Sequence, residues 1–226
     1  YIDSTTMANA TLHIDGILQT PSTDVAGSGP AEYTEGLTIG ASKADGSDGW
    51  GGSLAQFGIW SRALTQTEIQ NIMYKSYEQL SGTETQGLEN YWKLDADYTD
   101  STGNDNGTNS GSTLKSGIYG NYTPKIPRAV DNAPTARADT IGDGSASFDE
   151  DNADYITMGD SAKFTDPDGF SIAFWVKFDA VAGDLALITK HADYDGDVDN
   201  AGEFYIINDD GICEFVVLDS DNSASL

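Results

Sequence analysis

An acidic cluster between residues 193 and 199 is the part of this sequence most suited to chemistry. It carries a carboxylate at every second position: Asp193, Asp195, Asp197 and Asp199. Calcium favours loops that are this rich in oxygen. An EF-hand is excluded, because counting from Asp193 puts Val198 where the sharp turn needs glycine and Phe204 where a bidentate glutamate belongs. The cluster is therefore either a calcium loop of another geometry or a solvated hairpin loop.

A second candidate cation site lies at Asp100 and Asn104. The Ser-Thr-Gly turn between them can direct two side-chain oxygens and nearby carbonyls towards one ion. The same residue types also form Asx turns, in which a side-chain oxygen accepts hydrogen bonds from the neighbouring backbone. Both interpretations stay open on the sequence alone.

Three aromatic residues in predicted loops are candidates for binding a sugar. Trp50, Tyr98 and Tyr194 can each present a flat apolar ring to the face of a pyranose. The alternative for Trp50 is packing at the edge of the core. The other three tryptophans lie in predicted strands, so we expect them to be core or half-buried residues.

The histidines give little support for nucleophilic catalysis. The only two are His13, inside a predicted hairpin strand, and His191, beside the acidic cluster. No Ser-His-Asp arrangement is indicated by these positions. We expect His13 to be an ordinary strand residue and His191 to be exposed, with a place in a metal shell as the alternative for His191.

The charge balance limits the classes of partner. The 226 residues contain 37 Asp and Glu against 11 Lys and Arg, which gives a formal net charge of -26. Such a surface repels phosphate backbones and anionic lipid, so we expect neither nucleic acid nor membrane as a partner.

No apolar run approaches the roughly 18 residues that a membrane span requires. Cys213 is the only cysteine, so no disulfide can form within the chain.

Short alternating segments predict a chain built almost entirely of β-strands. Asp15-Gly16 between two such segments indicates a hairpin, because both positions of a type I′ turn need positive φ. The exception is one short helix near 65–75, whose start is marked by a capping box of Thr65 and Glu68. Residues 95–111 are expected to be loop, and 114–141 an extended surface segment. Further strands are predicted at 37–40, 54–60, 88–94, 146–148, 155–158, 170–178, 185–189, 204–207 and 213–218.

Two stretches of the chain resemble the laminin G-like, concanavalin A-like jelly-roll family. The first is similar to the C-terminal half of the family and contains Leu12-His13-Ile14-Asp15-Gly16, Leu37-Thr38-Ile39-Gly40, and the run from Gly52 through Arg62-Ala63-Leu64-Thr65 to Glu68-Ile69. The second is similar to the N-terminal half and contains 87–94, Asp100-Ser101-Thr102-Gly103-Asn104, 144–149, Tyr155-Ile156 and 170–177. The resemblance implies an all-β fold, an antiparallel jelly-roll β-sandwich.

The two halves occur in the reverse of the family order. We therefore expect 1–80 to be the C-terminal half of one sandwich, 81–87 a boundary, and 88–226 the N-terminal half of a second sandwich. The chain would then be a piece of a tandem array. The alternative is that the two halves form one sandwich, as in a circular permutant, since exposed half-sandwich edges are costly.

The resemblance implies a non-catalytic recognition or adhesion module, located outside the cell, at a cell surface or on a virion. Its expected partners are a glycan or surface protein and the neighbouring repeats of the same chain, and its expected cofactor is calcium. One alternative is a structural spacer or decoration domain of a phage fibre or bacterial surface protein. The lesser alternative is a glycoside hydrolase, which is disfavoured because the family's strand motif Glu-x-Asp-x-Glu is absent.

Overall fold

The computed structural model describes residues 11–20, 36–42, 46, 49–116, 144–158, 169–179, 182–191, 202–218 and 224–225. One α-helix, α1 (Gln66–Ile72), and three 3-10 turns, Tyr77–Gln79, Gly82–Thr85 and Glu150–Asn152, occur in these ranges. The strands are β1 (His13–Ile14), β2 (Ile17–Leu18), β3 (Leu37–Ile39), β4 (Gly52–Trp60), β5 (Leu88–Trp92), β6 (Gly107–Ser110), β7 (Thr113–Ser116), β8 (Gly144–Phe148), β9 (Tyr155–Met158), β10 (Ser171–Phe178), β11 (Asp184–His191), β12 (Gly202–Asp209), β13 (Ile212–Leu218) and β14 (Ala224–Ser225).

The described strands form three antiparallel sheets. A small hairpin pairs β1 with β2, and its turn residues Asp15 and Gly16 have φ of 52° and 70°, as a type I′ turn requires. A five-stranded sheet has the order β10-β4-β8-β7, with β5 also paired to β4. A seven-stranded sheet has the order β14-β13-β12-β11-β3-β9-β6. Side chains from the two larger sheets form one shared core, so the predicted all-β sandwich with one short helix is confirmed.

Strand β4 is the centre of the five-stranded sheet. All nine of its residues are buried, and it pairs with β10 along one edge and with β8 and β5 along the other. Gly58 is required at its position because an added Cβ would stand 2.7 Å from the Trp60 ring and 2.9 Å from the Tyr91 ring. The strand therefore fixes the spacing of its neighbours as well as their register.

A bulge in β4 changes which side chains face the core. Gln56 has a φ of 53°, and the pairing of β4 with β10 shifts register at this point. In a regular strand Leu54 and Phe57 would point to opposite faces, yet both belong to the shared core. The extra residue allows Leu54 and Phe57 both to stay in the core although the polar Gln56 lies between them in the strand.

The helix is attached to the outer face of the five-stranded sheet by a charged clamp. Its predicted capping box is present: Thr65 N donates to Glu68 Oε2 at 2.8 Å, and Glu68 N donates to Thr65 Oγ1 at 3.3 Å. Arg62 donates to both carboxylate oxygens of Glu68, at 3.0 and 2.8 Å, and also to Gln86 O at 2.7 Å. The guanidinium, opposed by burial and helped by Thr65, lowers the pKa of Glu68 to about 2.

Two segments differ from the sequence prediction. Residues 107–110, within the predicted loop 95–111, form β6 at the end of the seven-stranded sheet, where main-chain bonds to β9 hold a strand that has no apolar alternation. Residues 113–116, at the start of the predicted extended segment, form β7 and pair with β8. The rest of that segment, from 117 to 141, lies outside the described residues.

Strand pairing crosses the predicted boundary at 81–87. Strand β3 lies between β11 and β9, and β4 lies between β10 on one side and β5 and β8 on the other. The boundary segment is itself tied down, since Trp60 Nε1 donates to Glu84 O at 2.7 Å and Lys75 forms an ion pair with the Glu84 side chain. We propose that the isolated chain is one sandwich built from two complementary halves, the second of the two arrangements left open by the sequence.

Replacing Leu54 with alanine tests this arrangement. Leu54 is 0% exposed and packs with core residues from both sides of residue 87. We expect Leu54→Ala to lower the free energy of unfolding of one cooperative transition by about 2–5 kcal/mol, because the lost methyl groups leave a cavity. Denaturant unfolding followed by circular dichroism and by tryptophan fluorescence measures the change.

Ile17→Ala is the matched control, since Ile17 is 64% exposed and its truncation should cost less than about 0.5 kcal/mol. Two separate transitions, of which only one responds to Leu54→Ala, would contradict the single sandwich and favour two independent halves.

Candidate functional site

A cavity of about 410 Å³ lies along strand β10, and we name it the edge groove. It lies between hairpin β1–β2, helix α1, the outer face of the five-stranded sheet and the inner face of the seven-stranded sheet. Apolar side chains make up most of its wall. The lining residues are 11–16, 170–176, Phe178, Gln56, Trp60, Leu64, Ile69, Ile72, Met73, Lys75, Tyr91, Leu187, Ile206, Cys213 and Phe215.

The groove passes around the edge of β10 that faces away from β4. Among the described strands, β10 is the last in its sheet, with β4 as its neighbour on one side. Consecutive residues from Ser171 to Val176 all line the same cavity. Because successive side chains of a strand point to opposite faces, one cavity can contact all of them only where it goes round the strand edge.

The inner wall belongs to the seven-stranded sheet. Phe204 and Ile206 of β12 are buried, whereas Cys213 and Phe215 of β13, the next strand, are half-buried. The side chains on the inner face of this sheet are therefore less buried at β13 than at β12. Burial, together with the charge of Glu214, raises the pKa of the Cys213 thiol.

The outer wall is the hairpin held against α1. His13 Nε2 and Gln66 Oε1 lie 2.8 Å apart, and Gln70 Nε2 donates to Gly16 O at 3.2 Å. Gly16 fits close to the helix, since a Cβ there would stand 2.5 Å from the sulfur of Met73. The hairpin also exposes three large apolar side chains, Ile14, Ile17 and Leu18.

The part of the groove wall that is formed by the outer face of the five-stranded sheet contains a pair of polar side chains. The Tyr91 hydroxyl donates to Gln56 Oε1 at 2.9 Å, and both residues are buried. Burial, followed by the negative charge of Glu78, raises the pKa of Tyr91 above its ordinary value. Tyr91 is therefore a neutral hydrogen-bond donor at any physiological pH.

Asp100 lies in a buried turn, 2% exposed, and its carboxylate is surrounded by donors. The oxygens accept hydrogen bonds of 2.8 to 3.1 Å from six groups: Tyr91 N, Thr102 N, Thr102 Oγ1, Asn90 Nδ2, Asn104 N and Asp105 N. Burial raises the pKa of this carboxyl, but the hydrogen bonds outweigh burial and hold it below its usual value. This is the geometry of the Asx turn that the sequence left as an alternative.

Asn104 takes part in the same turn. Its Nδ2 donates to Glu89 O at 2.6 Å, and its backbone N donates to Asp100 Oδ2. The predicted pair is thus brought together, with the amide nitrogen directed at the protein backbone. Over the described ranges of the chain, no group of three His, Cys, Asp or Glu side chains is arranged so that it could hold a metal ion.

Two of the three predicted sugar-binding aromatics lie in the described ranges. Trp50 is 0% exposed and packs against Phe148 and Phe178, with ring centroids 5.4 and 5.8 Å away. This is the packed position that the sequence offered as its alternative. Tyr98 packs against the core, and its hydroxyl donates to Ser112 O at 3.0 Å.

The other predicted site residues fall outside the described ranges. These are Asp193, Tyr194, Asp195, Asp197 and Asp199. His191 ends β11, and its backbone pairs with Gly202. The predictions for the acidic cluster therefore stay predictions.

A family comparison identifies part of the chain. Residues 2–70 match the family model of laminin G-like domains described as the concanavalin A-like lectin/glucanases superfamily. Residues 2–70 are therefore similar to this superfamily. The matched segment contributes the hairpin, β3, β4 and most of α1, and therefore two walls of the edge groove. Comparisons with curated proteins and with solved structures found no match.

Sequence reasoning missed the edge groove and its residues Gln56, Tyr91 and Trp175. A signal for Trp175 was present, because strand alternation puts this large aromatic on the face opposite the core residues of β10. No such signal exists for Gln56, since its role depends on a bulge that only the pairing with β10 reveals. Elsewhere in the described part of the molecule, the one helix is too short to cross a bilayer.

Replacing Asp100 with asparagine tests the structural role of this carboxylate. The variant puts an amide group among six donors, so we expect the free energy of unfolding to fall by roughly 3 kcal/mol at pH 7. The lowered pKa means that the contribution of the carboxylate is fully present above the usual value of 3.8 and is lost as pH falls towards the folded-state value. The difference between wild type and variant should therefore narrow below about pH 4.

Asp151→Asn at an exposed turn is the matched control, and it should leave stability almost unchanged. Chemical denaturation between pH 7 and pH 3 provides the measurement. An Asp100→Asn variant as stable as wild type at pH 7 would refute the structural role.

Proposed function

We propose that this chain is a non-catalytic recognition module that acts outside the cell, at a cell surface or on a virion, and binds a glycan or protein ligand. The observation that carries the proposal is the edge groove, a cavity of about 410 Å³ with mostly apolar walls and a few polar groups. Binding sites have this composition and size. The concanavalin A-like segment adds support, because laminin G-like domains generally bind glycans or proteins and are typically extracellular.

The carboxylates in the described ranges support a role without catalysis. A glycoside hydrolase needs an acid and a second carboxylate about 5–9 Å apart across a cleft, with oxygens free to reach the substrate. The four buried acids in the described ranges are instead occupied by protein donors: Glu68 by Arg62, Glu84 by Lys75, Asp100 by its turn, and Asp154 by Asp149 N. Among the described residues of the groove wall Asp15 is the one acidic residue, and a single carboxylate does not make the required pair.

Replacing Trp175 with alanine tests the groove as the binding site. Trp175 lines the groove and is half-buried, so its indole offers a ligand a large apolar surface. We expect the wild-type chain to bind at least one ligand on a glycan array or in a displayed peptide library. Trp175→Ala should weaken that binding by roughly 1–3 kcal/mol, or about 5- to 150-fold.

Ile212→Ala is the matched control, because Ile212 is a 61% exposed apolar residue of β13 that does not line the groove. Its affinity should equal that of wild type. Finding no ligand in either collection would overturn the proposed function, and equal affinity for Trp175→Ala would move the site away from the groove.

Calcium binding at the acidic cluster 193–199 is the finer part of the proposal. It is supported by the alternating carboxylates of Asp193, Asp195, Asp197 and Asp199. At a calcium concentration about a hundred times the dissociation constant, the folded state gains roughly 2.7 kcal/mol, which should raise the melting midpoint by several degrees. Thermal melts with calcium and with chelator measure this shift.

Asp195→Asn should abolish the calcium-dependent shift, while Asp100→Asn should lower the midpoint equally with calcium and with chelator. A wild-type midpoint that ignores calcium would refute the calcium proposal and leave the recognition proposal standing.

A further inference from the structure

We propose that Met73 is an oxidation site, at which a peroxide converts the thioether to methionine sulfoxide and thereby releases hairpin β1–β2 from helix α1. Because the hairpin is the outer wall of the edge groove, its release opens that wall. The inference names a regulation of the groove, and its effect on ligand binding rests on the proposed function. The oxidation of Met73 and the release of the hairpin can be measured without any ligand.

The first argument is the position of the Met73 sulfur. Met73 directly follows α1, is half-buried and lines the edge groove. Gly16 of the hairpin turn is buried, and a Cβ built on it would stand 2.5 Å from this sulfur. The contact between the turn and the helix end therefore has no room for one more heavy atom.

The second argument is the set of hydrogen bonds at the same contact. The carbonyl oxygen of Gly16 accepts from Gln66 Nε2 at 2.5 Å and from Gln70 Nε2 at 3.2 Å. Gln66 Oε1 also lies 2.8 Å from His13 Nε2. Gln70 Cγ would stand 3.3 Å from the same Gly16 Cβ that the sulfur approaches. Two side-chain donors of the helix thus meet one hairpin carbonyl beside the Met73 sulfur.

The third argument is the exposure of the hairpin's own apolar side chains. The exposed fractions of Ile14, Ile17 and Leu18 are 46%, 64% and 54%, so much of their apolar surface does not contribute to holding the hairpin in place. A two-stranded hairpin is of marginal stability by itself. The contacts of Gly16 with α1 are therefore a large part of what keeps the hairpin against the groove.

Sulfoxide formation changes this contact in size and in polarity. The sulfur donates an electron pair to one oxygen of hydrogen peroxide, so an S–O bond forms while the O–O bond breaks. The hydroxide that leaves takes the proton of the transferred oxygen and becomes water, which completes a two-electron oxidation of the thioether. A thioether is a weak acceptor, whereas the sulfoxide is polar. The new oxygen needs room beside Gly16 and competes with its carbonyl for the amide N–H groups of Gln66 and Gln70.

The proposal can be tested by treating the full chain with dilute hydrogen peroxide and following hydrogen exchange of the backbone amides of residues 11–20. Peptide mass spectrometry identifies a dose that oxidises Met73 and leaves Met158, which is 1% exposed, as the thioether. We expect the hairpin amides to exchange at least about tenfold faster after oxidation, because the released state gains population. The amides of the buried strand β4 should keep their rate.

Met73→Leu is the matched control, since leucine has a similar volume and no sulfur. Its hairpin amides should exchange at the same rate before and after peroxide, and the variant retains Met7 and Met158. A methionine sulfoxide reductase should restore slow exchange in the oxidised wild type.

A double variant, Gln66→Ala with Gln70→Ala, tests the hydrogen bonds independently of sulfur chemistry. Alanine favours the helix, so α1 should form as in wild type. Because both donors to the Gly16 carbonyl are removed, the hairpin amides should exchange fast without peroxide. Slow exchange in this variant would refute the role of the two glutamines.

Three further results would overturn the proposal. The first is full oxidation of Met73 with unchanged exchange in the hairpin, and the second is the same acceleration in Met73→Leu. The third is an equal acceleration in β4, which would mean that oxidation unfolds the whole chain. None of these results bears on the recognition function, which is tested by ligand binding. Equal affinity of a groove ligand for the reduced and the oxidised chain would refute the regulation alone.

Discussion

The burial of β4 on both faces and the pairing of both its edges is the constraint on which the rest of this structure depends. Strand β4 brings β10 to one side and β5 and β8 to the other, so one continuous strand links segments that are far apart in the chain. Because β4 supplies only one side of β10, the opposite side of β10 becomes the wall of the edge groove.

The bulge at Gln56 connects the core to the binding surface. By inserting one residue, it lets Leu54 and Phe57 both enter the shared core, and it puts a buried amide within 2.9 Å of the Tyr91 hydroxyl. The left-handed backbone of a non-glycine residue costs free energy, which the surrounding pairs must offset. The bulge therefore affects both faces of β4. On the inner face it allows apolar packing, and on the outer face it places a polar group in a mostly apolar groove.

The sequence contained most of the local structure, because local structure depends on neighbouring residues. Asp15-Gly16 determines a turn and Thr65 with Glu68 determines a helix start, and the structure has both. Strand β6 was missed because its polar residues are held by the main chain of β9, a partner about 50 positions away. The groove was missed for the same reason: its walls come from segments that are far apart in the chain. Trp50 and Asp100 show that a residue type suited to binding a ligand can equally be used to pack a core or cap a turn.

The position of β10 at the end of its sheet, among the described strands, also has a consequence for solubility. Natural sheet edges are guarded by prolines, bulges or inward charges, whereas β10 contains one charged residue, Lys177, which lies 3.4 Å from Asp179. Association through this edge is instead opposed by electrostatic repulsion, because each copy of the chain has a large negative net charge. Its range is set by dissolved salt, about 10 Å at 0.1 M and about 3 Å at 1 M. Concentrated salt therefore weakens the electrostatic repulsion between two copies of the chain, so we expect self-association to increase with ionic strength.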